Sequence, residues 1–339
     1  MQHAEYFKTF LRDVVNLNET RLDLLEARVA AVTTTLQADD TVGELMTGFD
    51  PQGSWKHRLI IRPQPGGNFD ADVLVEMNER AGWEPKDYIN AIYNALHSDG
   101  TYSKQEHGRK DRCVFLRYAP INEVGCHLDL VPFITLDNGN RVIVNRRTNT
   151  WEPEYGSTDP QGFTDWVRRR DELTGNQFRK VVRIMKFLRD RRKSFTGARS
   201  VILTTVLGTQ ISDWTAADFG RYSNLPTALV NIVEDLDGWL QARPVKPSIA
   251  NPNNDGTNFD HRWTQETYAN FRDRVHSIAA EIRAAYDEPD AKKSATKWQA
   301  LLGDSFNPPN AKTSSNSANP FTPAATAVGA ASSRISHAG

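Results

Sequence analysis

The densest concentration of potential chemistry lies in two short stretches where acids interrupt apolar runs. In Phe69-Asp70-Ala71-Asp72-Val73-Leu74-Val75 two carboxylates stand two residues apart among strand-forming neighbours. Side chains at i and i+2 of a strand leave the same face, so Asp70 and Asp72 project together while Ala71 and Val73 turn to the core. Such a pair repels itself unless a cation lies between, and hard, oxygen-seeking Mg2+ is the natural occupant. A third acid, Asp129, sits in Gly125-Cys126-His127-Leu128-Asp129-Leu130-Val131 and is placed to complete the set from a neighbouring strand. His127 is read as structural, on the opposite face of that strand. Upstream, Gly53-Ser54 makes a turn whose glycine admits a phosphate close to the backbone and whose serine hydroxyl and amide bind its oxygens. An Asp-X-Asp strand alone is commonly a solvated sheet face, and Gly-Ser alone a plain turn. Their combination with a third acid points to metal-assisted phosphoryl transfer.

A basic helix supplies the complementary charge. Arg179, Lys180, Arg183, Lys186 and Arg189 alternate with Val181, Val182, Ile184, Met185, Phe187 and Leu188. An ordinary surface helix that snorkels its cations would read the same way. Arg183 and Lys186, three apart, can share one face and reach a polyphosphate if that face lines a cleft. The runs Arg168 to Arg170 and Arg191 to Lys193 read as solvated helix ends.

These residues need a scaffold, and the patterning implies an α+β one. Apolar residues at helical spacing from about Glu5 to Leu36, broken near Asn16 to Asn18, make a helical spine. Strand patterns follow at Arg58 to Arg62, Phe69 to Met77, Arg112 to Tyr118, Gly125 to Ile134 and Arg141 to Val144, with a helix over Pro85 to Leu96. From Phe163 onward the pattern is helical, over Gly175 to Lys193, Ser200 to Leu207, Leu225 to Leu240 and Glu266 to Tyr286. The expected organisation is a catalytic lobe with spine over 1–160, a helical lobe over 161–306 and a disordered tail over 307–339, whose Ser, Ala, Asn and Pro cannot offset their ordering entropy.

Composition narrows the function. With 41 Lys plus Arg against 42 Asp plus Glu, bulk electrostatic coating of nucleic acid is not expected, and any anion site must be local. Cys113 and Cys126 are too few for a disulfide framework or a zinc cluster and fit a reducing cytoplasm. No run approaches the length of a bilayer span, so no membrane partner is expected.

With these residues in place, the sequence resembles the polymerase-beta-like nucleotidyltransferase superfamily. Within it, the resemblance is to the bacterial relatives of cyclic GMP-AMP synthase and oligoadenylate synthase, the CD-NTases. It runs from about Asp40 to Phe306 and rests on Gln52-Gly53-Ser54-Trp55-Lys56, Phe69-Asp70-Ala71-Asp72-Val73 and His127-Leu128-Asp129-Leu130-Val131-Pro132, in that order. Asn251-Pro252, Asn258-Phe259, Arg262-Trp263 and the ending Trp298 to Phe306 add to it.

The resemblance implies two Mg2+ ions, with Mn2+ as a substitute, on Asp70, Asp72 and Asp129. It implies a donor triphosphate held by Gln52, Gly53, Ser54, Lys186 and Ser200, to which helical spacing adds Arg183. ATP, with other NTPs, would be joined into a cyclic di- or trinucleotide that activates a separate effector in bacterial anti-phage signalling. A regulatory protein, or a conjugating enzyme acting on C-terminal Gly339, are the further partners it implies. The same metal core would equally serve transfer to a tRNA, protein or small-molecule acceptor. The presence of all three acids argues against a catalytically dead binding module.

Overall fold

The computed structural model describes residues 2–64, 67–121, 124–152, 160–253, 256, 258–260 and 263–308. The first half builds one mixed sheet from β1 (Met46–Gln52), β2 (Asn68–Asn78), β3 (Glu106–Arg109), β4 (Val114–Ile121), β5 (Val124–Thr135), β6 (Arg141–Asn145) and β7 (Thr150–Glu152). The order is β1-β2-β5-β4-β3, with β6 paired to the far end of β5 and β7 to β6. β2 and β5 run parallel over eleven paired positions, Asn68↔Gly125 to Asn78↔Thr135. The other described ladders are antiparallel.

Burial along β2 explains its place. Its first half alternates exposed Asn68, Asp70 and Asp72 with buried Phe69, Ala71 and Val73, while Leu74 and Val75 are both buried further along. The strand thus starts at a solvent cleft, runs through the interior at Val73 to Val75 and surfaces again at Asn78. Its apolar face is covered by α2 (Glu19–Ala38) and α5 (Pro85–Ser98) through Leu25, Val32, Leu36, Ile89, Ile92 and Leu96. Both helices start where the chemistry of capping puts them. Asn18 accepts from the Arg21 amide, and Glu84 and Asp87 form a capping box around Pro85, the first helical residue.

The second half is helical: α6 (Pro160–Leu173), α7 (Phe178–Arg192), α8 (Ser200–Gly208), α9 (Asp213–Ala216), α10 (Leu225–Gln241), α11 (Gln265–Asp287) and α12 (Ala291–Leu302). α1 (Ala4–Phe10) continues into a π turn over Leu11–Val15, and the chain breaks at Asn16 to Asn18 where the sequence suggests. The side chains of this first segment join the helical core rather than the sheet, which differs from the expected boundary at 160. The Phe7 ring packs edge-on against Trp298 and Phe306, each at 4.9 Å, and Phe10 against Phe187 at 5.3 Å. The chain therefore enters through the helical half before it lays α2 across the sheet.

Arg58 to Arg62 is not a strand. Ile61 makes a single bridge to Asn16, and Leu59 and Ile61 are buried in the helical core, so the alternation there reflects packing between halves instead of sheet pairing. β1, β3 and β7 carry no strand pattern in the sequence: β1 contains Gly48 and Pro51, poor strand formers, and the other two are only three or four residues long. The expected tail, with Gly339, lies outside the described residues apart from 307–308, as does Arg262.

Because Phe7 is fully buried between Trp298 and Phe306, Phe7→Ala is expected to destabilise the fold by about 3–5 kcal/mol in urea unfolding. A loss under about 1 kcal/mol would show that α1 is not part of the helical core.

Candidate active site

The site is organised by strand register. Gln52 on β1 pairs with Asp72 on β2, Asp72 pairs with Asp129 on β5, and Asp129 pairs with Phe115 on β4. One line across four strands therefore carries an amide, two carboxylates and an aromatic ring. Asp70 lies two residues before Asp72, and its pairing partner on β5 is His127. The three expected acids thus come from two adjacent parallel strands and share one face.

Their carboxylates do not, however, close around one point. Among the described residues no three His, Cys, Asp or Glu side chains form a preassembled metal cage. Each acid instead deals with its charge separately. Lys110 Nζ donates to both oxygens of Asp129, at 2.9 and 2.8 Å. His127 Nδ1 lies 3.0 Å from Asp70 Oδ1, close enough for charge attraction although the N–H is not aimed along a hydrogen bond. The Asp70 contact and charge raise the His127 pKa above its ordinary value against the opposing effect of burial.

Asp72 has no such cation. Desolvation, then Asp129 and Asp70, push its carboxyl up to about 6. It remains accessible to solvent at the cleft floor, so the desolvation comes from the protein walls around it and not from enclosure. An oxygen-only donor set with unrelieved negative charge, two of whose members already attract cationic side chains, fits a hard divalent cation.

His127 corrects the sequence reading. Residues 127 and 129 are two apart, so strand periodicity puts them on one face, and His127 contacts Asp70 there instead of turning away.

The Gly-Ser turn faces this row. Gln52 is extended, Gly53 has φ +62°, and α4 (Gly53–Lys56) is a single helical turn. The backbone angle favours glycine, and a Cβ at residue 53 would meet Asp72 Oδ2 at 2.6 Å, so any other residue would also have to displace that carboxylate. Asp50 clamps the turn from below: its Oδ2 accepts from Gln52 Nε2 at 2.7 Å and from Lys56 Nζ at 2.5 Å.

Lys186 on α7 reaches the same turn from the helical half. Its Nζ donates to Ser54 Oγ at 3.0 Å and to the Leu59 carbonyl at 2.8 Å, and burial, then Arg189, lowers its pKa to about 8. It sits behind Ser54 and is nearly fully buried. Ser200, at the start of α8, faces Gly53 and Ser54 across a cleft of about 470 Å³ and accepts a 3.3 Å bond from Arg189. Arg183 is not brought there: it is absent from the cleft lining, and its Nε donates to the Arg179 carbonyl of its own helix.

Several lining groups carry no functional reading in the sequence, although Phe259 falls within the family match at Asn258-Phe259. Phe163 and Phe259 stand edge to face at 5.6 Å, Arg199 lies beside Ser200, and His57, its pKa lowered to about 4 by burial and then by Lys56, is bonded through Nδ1 to Thr164 Oγ1. Lys110 belongs to a hairpin with no motif of its own. His127 was legible, through its spacing from Asp129.

A family model for the second messenger oligonucleotide or dinucleotide synthetase domain (SMODS) matches residues 1–171, half of the chain. The chain belongs to this family. It is a CD-NTase, a nucleotidyltransferase of the kind that makes cyclic oligonucleotides. The synthetase is 23% identical over 272 residues to a cyclic AMP-AMP-AMP synthase of Acinetobacter sp., covering 79% of this chain and 75% of the relative.

Among solved structures it is similar to the Vibrio cholerae cyclic AMP-GMP synthase DncV bound to nonhydrolyzable GTP, with a TM-score of 0.70, 16% identity and coverage of 91% and 97%. It is likewise similar to Escherichia coli MS115-1 CdnC with ATP, with a TM-score of 0.66, 16% identity and coverage of 90% and 99%. These likenesses show the α+β nucleotidyltransferase fold expected from the sequence.

The raised Asp72 pKa fixes a pH dependence. In the unfolded chain the group titrates near its ordinary 3.8, and in the fold near 6. The cation-free fold therefore loses stability as pH rises through that window and carries the full penalty above it. Asp72→Asn should raise the melting temperature by a few degrees at about pH 8 and leave it unchanged at about pH 4. A shift independent of pH would contradict the assigned charge crowding.

Proposed function

We propose that the synthetase uses ATP, alone or with another NTP, as donor and acceptor, and releases pyrophosphate to make a cyclic di- or trinucleotide in a Mg2+-dependent reaction. The observation that carries this reading is the register row Gln52–Asp72–Asp129 facing the Gly53-Ser54 turn, with Lys186 behind it. The names of the similar proteins support the product class, since one makes cyclic AMP-AMP-AMP and another cyclic AMP-GMP.

Asp70, Asp72 and Asp129 would hold the divalent ions, which when bound neutralise polyphosphate charge and make a hydroxyl easier to deprotonate. The chain's own groups do the rest. The Gly53 and Ser54 amides and the Ser54 hydroxyl receive donor phosphate oxygens, and Lys186 fixes the rotamer of that hydroxyl and adds positive charge beneath it. Ser200 at the start of α8 and Arg199 just before it face the same phosphates, while Phe163 and Phe259 give the base an apolar wall. The acceptor hydroxyl attacks the α-phosphorus, its proton passes to Asp129, and pyrophosphate leaves. Rebinding the linear product in the same cleft lets its remaining hydroxyl attack its own triphosphate and close the ring.

The setting we infer is the bacterial cytoplasm, where the product activates a separate effector in anti-phage defence. Among the described residues no helix is long and apolar enough to cross a membrane. A regulatory protein is a further proposed partner, supported by the similar CdnC having been solved in complex with a HORMA protein.

Incubation with the four NTPs and Mg2+, followed by phosphatase digestion, is expected to leave a resistant nucleotide product without any added acceptor. Asp70→Ala plus Asp72→Ala should abolish pyrophosphate release. Product that forms only when RNA, a protein or a small molecule is supplied would replace cyclisation with transfer to that acceptor.

A further inference from the structure

Lys110 is the one cation bonded to both oxygens of a catalytic-row carboxylate among the described residues, and no step of the proposed reaction uses it. Its placement is built. Lys110 opens the turn between β3 and β4, where its amide donates to the Cys113 carbonyl at 2.8 Å. The Arg146 amide donates to the neighbouring Asp111 carbonyl at 2.7 Å, and Arg146 Nε to the Lys110 carbonyl at 3.4 Å, so the turn is tied to the chain beyond β6. The ammonium also lies 5.6 Å from the centre of the Phe115 ring, and Phe115 is the strand partner of Asp129. These four contacts direct a four-carbon stem onto one carboxylate.

The pair is nonetheless open to exchange. The Lys110 side chain is 45% exposed, so the ammonium can swing into solvent, and the Asp129 carboxylate it leaves, only 19% exposed, then needs another cation in its place. A divalent ion and an ammonium on the same carboxylate repel each other, and the ion is favoured only once Lys110 moves away.

Resting on the reading of Asp70, Asp72 and Asp129 as the metal site, we propose that Lys110 is a tethered counter-ion for Asp129. It holds the carboxylate in the cation-free enzyme and must be released before a divalent ion takes Asp129. Lys110 therefore sets the metal concentration at which the site fills. It is a positioning residue, acting through Asp129 and not on substrate.

The test is Mn2+ binding to the full chain without nucleotide, followed by the electron paramagnetic resonance signal of free Mn2+. Lys110→Met keeps the stem and removes the charge, and is expected to tighten binding about tenfold. Lys110→Arg keeps the charge and should stay within about twofold of the wild type. In an Asp129→Asn background Lys110→Met should change nothing, and Lys110→Gln serves as a second neutral variant should Met disturb the fold.

Asp72-dependent Mn2+ binding that neither neutral variant alters would overturn the proposal and leave the metal-site reading standing. Wild-type protein whose Mn2+ binding is unaffected by Asp72→Asn would overturn both.

Discussion

Everything about this site follows from two carboxylates placed side by side on parallel strands. Neighbouring strands are about 4.8 Å apart, so direct pairing of Asp72 with Asp129 forces two negative groups into one another's field, with Asp70 close by on the same face. No arrangement of side chains removes that charge entirely. The fold instead distributes the burden: Lys110 takes Asp129, His127 leans on Asp70, and Asp72 holds its proton to a pH well above that of an ordinary carboxylate. A site that strained is ready for cations, and the folded chain maintains it because a large apolar core on the other face of the same strands is indifferent to the cleft.

The second constraint joins the two halves. Lys186 leaves a helix whose neighbours Val182, Ile184 and Met185 are fully buried, and it ends on Ser54 and the Leu59 carbonyl of the sheet-bearing half. A buried ammonium with two good acceptors is tolerable, and its remaining charge lies beneath a turn suited to phosphate. Gly53 completes the match by letting that turn touch Asp72. The proposed donor and metal sites therefore meet at one contact, between residue 53 and residue 72.

The acids were legible because strand periodicity is strict: carboxylates at alternate positions of an apolar run must crowd onto one face, and the glycine-serine turn upstream gives that crowding a use. The same period of two places His127 beside Asp129 on β5, against the expectation that it turns away. Lys186 was found through family position, since helical spacing alone made Arg183 equally suitable; rotation about the helix sends one toward Ser54 and the other back along its own backbone. Lys110 and Asp50 could not be read from sequence. Each acts through a turn whose geometry depends on tertiary pairing, and turns carry no periodicity to betray a side chain's direction. The helical halves were clear in outline, yet α1 joins the helical core through aromatic contacts to Trp298 and Phe306 near the far end of the described chain, which no local pattern encodes.

A crystal structure with Mn2+ and a nonhydrolysable ATP analogue, its metals located by anomalous scattering, tests the crowded carboxylates as a metal site. Anomalous peaks are expected within bonding distance of Asp70, Asp72 and Asp129, with the triphosphate on Gly53 and Ser54. Metal density away from Asp72 and Asp129, or a triphosphate bound elsewhere in the molecule, would contradict that assignment.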